Sequence, residues 1–345
     1  MLYRRSVPLV AALVLFGTIW MAGAGSAMAA VTHRIQLPHQ GSGLDFDDMT
    51  YAPSLHRVLV PAAQSGALAL INPARQTLGE WRHIVPSGQG ADHDDAGTTS
   101  ADSGDGLVFA SDHKDEAIVA VNPHGGQVVA RAKLASGPDI IRYVKPLDQV
   151  WVTEPETHEI QRFKATAGAH PSLRLLGAIS LPKGSPELLA VDAAHYAVYA
   201  NQRPATTLKI SLRSLQVVAS WPNSCQRDQG LALAPARNLL FVGCREGKVV
   251  ALDTAQNGKE VSHAAVGAGV DLIAWNPHLQ HLYAPGARSA TLSVLKLTAH
   301  DQLQKVATVP TAKHAHCVAT DDQNHAYVCD PRHAAIIVYR DHKTD

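Results

Sequence analysis

Hydrophobic and polar positions recur along this chain in a unit of roughly 45 residues, repeated seven times. Each unit reads as four short strands. The clearest pair is an apolar LxVxx strand, a polar turn, and a second strand of the xVxVxD/N type. Aligned on the residues that open each innermost strand, the units begin at Asp45, Asp94, Asp139, Glu187, Asp228, Asp271 and His316. The steps between them are 49, 45, 48, 41, 43 and 45 residues. Four-stranded units repeated at a fixed period predict an all-β fold, a seven-bladed β-propeller whose blades bury their faces against one another around a channel. The seventh unit runs out six residues after Tyr339, too soon for a fourth strand. The alternating segment Thr32 to Leu37 precedes the first unit, so it is expected to close the ring by pairing in blade 7.

The first thirty residues stand apart from this pattern. Arg4 and Arg5 precede an apolar run from Val7 to Met21, and Ala27-Met28-Ala29 gives a small-x-small cleavage site. Residues 1–30 therefore read as a secretory signal peptide, and 31–345 as a single propeller domain in the periplasm or outside the cell. The apolar run is short for a permanent span, and no second run of spanning length follows. Loss of Arg4 and Arg5 leaves 28 Lys+Arg against 30 Asp+Glu. That balance gives no electrostatic footprint for a phosphate backbone, which disfavours nucleic acid as a partner. Hydrophobic content of 46% with 17% charged residues suits a large strand-rich core, and a monomer is expected.

Four cysteines in an exported chain suggest two disulfides, with three possible connectivities. The repeat register selects among them. Cys225 and Cys244 fall at the channel-mouth end of blade 5, and Cys317 and Cys329 at that of blade 7, so Cys225–Cys244 and Cys317–Cys329 is the expected pairing.

The runs LLFVGCREGKVVALDTAQNGKEV, HLYAPG and AYVCD resemble the YVTN-repeat (YncE-like) β-propellers of exported bacterial proteins. The likeness spans essentially the whole chain after residue 30. It implies a seven-bladed propeller in the periplasm or outside the cell, and carries over no catalytic residue.

Candidate chemistry sits where the loops into the innermost strands meet, at one mouth of the channel. Six carboxylates and a histidine open the units there: Asp45, Asp94, Asp139, Glu187, Asp228, Asp271 and His316. Carboxylates gathered around a low-dielectric pore raise one another's pKa or recruit a cation. Alternatively, each satisfies backbone N–H groups of its own loop. Asp92-His93-Asp94-Asp95 is the densest polar cluster, and His314 and His316 lie two apart, pointing the same way if in a strand. Arg142, Arg203, Arg227, Arg245 and Arg332 fall in or near the same loops, to pair with the acidic ring or clamp an anion. No C-x-x-C-H, G-x-S-x-G, H-E-x-x-H, P-loop or dinucleotide fingerprint is present.

The reading that follows is an exported binding or scaffold propeller, not an enzyme, that holds a peptide, a protein or a small polar ligand at its mouth face. The alternative is a lactonase-like metal-dependent hydrolase. Its divalent cation (Ca²⁺, Mg²⁺, Mn²⁺ or Zn²⁺) would be held by Asp94, Asp139, Glu187, Asp228 and Asp271, with His93 or His316 transferring the proton.

Overall fold

The apolar runs of the repeat form strands buried along their whole length. Leu107–Asp112, Ala197–Gln202, Leu239–Cys244, His281–Gly286 and His325–Asp330 carry no exposed residue. Such strands read as continuous apolar segments because the sheet around them is covered on both faces. Outermost strands such as Gln216–Pro222 alternate between half-buried and exposed positions, as expected for an edge facing water. A computed structural model describes residues 1, 32–38, 43–88, 97–182, 184 and 186–343. The proposed signal peptide, like His93 and Asp94, lies outside these residues. Among the described residues, no helix is long and apolar enough to cross a membrane.

The described strands form seven four-stranded antiparallel sheets, and the molecule is a seven-bladed β-propeller. The innermost strands, in blade order, are Thr50–Ala52, Ala101–Gly104, Ile141–Val144, Pro186–Asp192, Asp228–Ala234, Ala274–Asn276 and Val318–Thr320. The seventh sheet takes its outer strand from the start of the chain. Thr32–Gln36 pairs antiparallel with Ala335–Arg340, with Thr32 opposite Tyr339 and Gln36 opposite Ala335. This is the closure expected from the sequence.

One register position organises the core. Leu59, Phe109, Trp151, Tyr199, Phe241, Tyr283 and Tyr327 sit at the same point of the second strand in blades 1 to 7, and all are fully buried. Most of them stack within reach of another ring: Phe109 on Tyr143, Tyr199 against Trp221, Phe241 against Trp275 and Tyr283 against Tyr339. Truncating a buried ring of this kind costs about 3–5 kcal/mol, so these positions hold adjoining blades together.

The four cysteines form the two expected pairs at disulfide distance. Cα–Cα separations are 5.2 Å for Cys225–Cys244 and 5.6 Å for Cys317–Cys329. Both pairs lie at the mouth end of their blades, where each ties the start of an inner strand to the end of the second. Two such pairs are consistent with an oxidising compartment.

Candidate functional site at the channel mouth

Counting three residues back from the inner-strand partner of each buried core residue gives one equivalent position per blade. In order these are Asp47, Thr99, Asp139, Glu187, Gln229, Asp271 and His316. They form the ring at the mouth. Loop spacing and strand register coincide at Asp139, Glu187, Asp271 and His316 and differ in the other three blades. Asp45 precedes the ring position of blade 1 by two residues, and its backbone N–H donates to Gln64 Oε1 at 3.2 Å. In blade 5 Asp228 precedes the ring by one residue. It is fully buried, and its carboxylate accepts from Ala205 N–H at 3.1 Å and Asn223 Nδ2 at 3.2 Å, which commits it to the neighbouring loops. In blade 2 the ring residue is Thr99, whose hydroxyl lies 2.7 Å from His113 Nε2.

Backbone irregularity positions two of these side chains. The pairing of first and second strands slips between Pro186 and Leu189 in blade 4, and between Asp228 and Leu231 in blade 5. Such bulges re-aim side chains next to functional sites, and here they carry Glu187 and Gln229. Gly230 permits the second of them. A Cβ there would meet the Asp271 carbonyl oxygen at 2.3 Å, so blade 6 approaches too closely for any other residue.

Four cations and donors neutralise part of the ring. Arg142 forks onto Asp48, with Nη1 donating to Oδ2 at 2.5 Å and Nη2 to Oδ1 at 2.8 Å. Ser100 Oγ also donates to Asp48, at 2.7 Å, linking blades 1, 2 and 3. Arg142 is thus held as a structural partner. Arg203 Nη2 donates to Glu187 Oε2 at 2.6 Å. Gln229 Nε2 donates to both Glu187 Oε2, at 3.2 Å, and Asp271 Oδ1, at 3.1 Å. Arg227, Arg245 and Arg332 are exposed.

His316 carries a proton on each ring nitrogen. Nδ1 donates to the His314 carbonyl at 2.6 Å and Nε2 to the Phe46 carbonyl at 2.8 Å. Carbonyls only accept, so both bonds require the imidazolium. Burial opposes that charge, but the Asp271 carboxylate, the two carbonyls and Asp47 outweigh it and hold His316 above the usual histidine range. His314 is exposed and adopts φ 66°, ahead of the inner strand that starts at Val318. The strand geometry that would aim both rings the same way is therefore absent.

The remaining carboxylates are crowded. Burial, then Asp271, Asp48 and Glu187, push Asp47 up to about 7, against the pull of His316. Burial and the charges of Asp47, Glu187, Asp48 and Asp271 raise Asp139 well above the carboxylate range. Glu187 is raised as well, by burial and by Asp271, with Arg203 working against both. Beneath the ring lies a cavity of about 250 Å³ lined by Met49, Leu188, Leu231, Leu272 and Val318 together with Asp48 and Arg142. This apolar collar lowers the local dielectric and strengthens the repulsion above it.

No family model matches the chain, and no curated protein matches it. Solved structures do. A chain in the crystal structure of a mitotic checkpoint complex superposes with a TM-score of 0.72 at 12% identity, covering 96% of this chain and 98% of the other. A chain of the hydrazine synthase of Kuenenia stuttgartiensis gives a TM-score of 0.72 at 12% identity, covering 89% of this chain and 98% of its own. At that identity the likeness establishes the fold alone.

Proposed function

We propose that this chain is an exported binding propeller of the YVTN-repeat kind, which holds a peptide or small polar ligand at the mouth of its channel. One contrast carries the reading. Every fully buried aspartate of the described residues, namely Asp48, Asp112, Asp192, Asp228, Asp321, Asp330 and Asp341, accepts at least one hydrogen bond. Asp47 and Asp139 are half-buried at the mouth, and among the described residues no donor lies within hydrogen-bond distance of either carboxylate. The fold satisfies each of its fully buried aspartates and leaves these two half-buried ones open at the mouth, which supports a ligand reaching them there.

The test is native mass spectrometry of protein purified from its producing cells, wild type beside a variant carrying Asp47→Asn, Asp139→Asn and Asp271→Asn. A ligand retained by the wild type and absent from the variant supports the reading; identical occupancy of both refutes it.

A metal-dependent hydrolase is the second reading, favoured by Asp47, whose carboxyl at about 7 is suited to general-base work near neutral pH. His316 is not suited to that task, because both its nitrogens already donate to carbonyls. Chelator-sensitive turnover of a lactone and ester panel would promote this reading over the first.

A further inference from the structure

We propose that the mouth face binds an acidic peptide in extended form, laid across an arc of arginines on the loops between the second and third strands of blades 4 to 7. The inference deepens the mouth-face reading and rests on it. Second strands run antiparallel to the inner ones, with Gln202 opposite Pro186 and Cys244 opposite Asp228, so the loops that follow them open onto the mouth. In blades 4 to 7 these loops carry Arg203, Arg245, Arg288 and Arg332 in turn, one per blade. The matching loops of blades 1 to 3, residues 62–66, 113–116 and 155–158, carry no arginine. Their single lysine, Lys114, is followed directly by Asp115 and Glu116.

Little within the protein balances this charge. Arg203 pairs with Glu187 at 2.6 Å. Among the described residues, Arg227, Arg245, Arg288 and Arg332 pair with no carboxylate. Glu246, beside Arg245 in the chain, is already engaged. It accepts from the backbone N–H groups of Gln226 at 2.9 Å and Arg227 at 3.4 Å, and lies 3.9 Å from Lys248 Nζ. Backbone carbonyls hold the cations together instead. Arg288 Nη2 donates to the Arg245 carbonyl at 2.9 Å, Lys313 Nζ to the Arg288 carbonyl at 2.7 Å, and the Arg245 N–H to the Arg227 carbonyl at 2.9 Å. The Cys225–Cys244 pair ties together the loops that bear Arg227 and Arg245. Partial burial, then the charges of Arg203 and Arg245, push Arg227 below the usual arginine range, against the pull of Glu187 and Asp271. Like charges held side by side on one face draw an anion from outside.

The shape of the arc selects the kind of anion. Guanidinium forks match carboxylates two hydrogen bonds at a time. A lone carboxylate or phosphate reaches one or two of the arginines, whereas the arc spans four blades. Packed sheets lie about 10 Å apart. A polyproline-II peptide repeats its face every three residues and advances about 3.1 Å per residue, so acids at every third position fall in step with successive arginines. The balance of 28 Lys+Arg against 30 Asp+Glu after residue 30 gives no footprint for a phosphate backbone, which sets nucleic acid aside. The open carboxylates Asp47 and Asp139 belong to blades 1 and 3, outside the arc. The face is thus acidic on one side and basic on the other, and that polarity orients the peptide.

The test uses the full chain and fluorescence anisotropy with two synthetic peptides of one composition, glutamates at every third position in one and contiguous in the other. The spaced peptide should bind about tenfold more tightly than the contiguous one, and added NaCl should weaken it. In the variant Arg245→Gln/Arg288→Gln/Arg332→Gln, all three side chains are exposed, so the fold is kept while the spaced peptide binds about tenfold more weakly. Absence of binding by the wild type, equal binding by the arginine variant, or equal affinity for the two peptides each overturns the inference. Tighter binding of an oligonucleotide or of inorganic phosphate overturns it as well. If neither peptide binds, but purified wild type retains a ligand that the arginine variant keeps and the Asp47→Asn/Asp139→Asn/Asp271→Asn variant loses, the arc is refuted and the mouth-face reading stands.

Discussion

The two ends of the channel use the same residue types to opposite effect. At the end away from the mouth, Asp341 accepts from His281 Nδ1 and Tyr283 OH, both at 2.7 Å, and from Tyr339 OH at 3.3 Å. Asp321 likewise accepts from His325 Nδ1 at 2.8 Å and Tyr327 OH at 3.2 Å. Burial alone would raise both acids. The bonds from His281 and Tyr283 to one, and from His325 to the other, more than compensate and hold both below the usual carboxylate range. At the mouth, Asp47 and Asp139 are half-buried, take no hydrogen bond and are raised. At one end Asp341 latches blade 7 to blade 6, and Asp321 ties the base of blade 7. At the other, Asp47 and Asp139 take no hydrogen bond, whereas Asp48, Glu187 and Asp228 beside them are paired.

The largest expected effect breaks the latch. Asp341→Ala leaves His281, Tyr283 and Tyr339 buried without their shared acceptor, so urea unfolding should show a loss of about 3–5 kcal/mol. Asp139→Ala at the mouth should show none, because it removes repulsion and no hydrogen bond. A comparable loss at both sites would erase the contrast.

Acid should separate the ends next. Asp321 and Asp341 are depressed, so the stability they contribute is fully present above their unfolded pKa of about 4 and disappears as pH falls through their lower folded values. Thermal unfolding of the wild type should therefore steepen below about pH 4. The double variant Asp321→Asn/Asp341→Asn should start less stable and lose that steepening.

Much of this was legible in the chain, and the misses have one cause. The seven units, the closing strand and both cysteine pairs follow from apolar periodicity, which burial enforces at every repeat. Loop spacing takes the polar residue that opens each innermost strand, and it coincides with the register only where loop and strand keep a constant offset. The bulge in blade 5 shifts the ring from Asp228 to Gln229, and the long segment before Ala101 puts Thr99 in place of Asp94. Alignment on the buried series Leu59, Phe109, Trp151, Tyr199, Phe241, Tyr283 and Tyr327 would have found Asp47, Thr99 and Gln229, because core packing tolerates no slip. The double protonation of His316 had no sequence signal, since both its acceptors are backbone carbonyls.

A smaller effect sharpens the account of Gln229. Gly230→Ala should lower stability through the clash with the Asp271 carbonyl, by about 1–3 kcal/mol, and disturb the ring more than the latch. Amide exchange should accelerate around blades 5 and 6 at the mouth while Asp341 and its partners stay protected.

The central claim is that the mouth carries carboxylates to which the described residues donate no hydrogen bond, and the pH profile of stability in chelator tests it most directly. Asp47 is raised to about 7 and His316 is raised as well, so the stability tied to their protonated forms is fully present at acid pH. It is lost as pH rises through about 7. Tm of the wild type should fall across that range, and the Asp47→Asn/Asp139→Asn variant should hold a flatter, higher curve. Superimposable curves for the two proteins between about pH 5 and 8 would contradict the account.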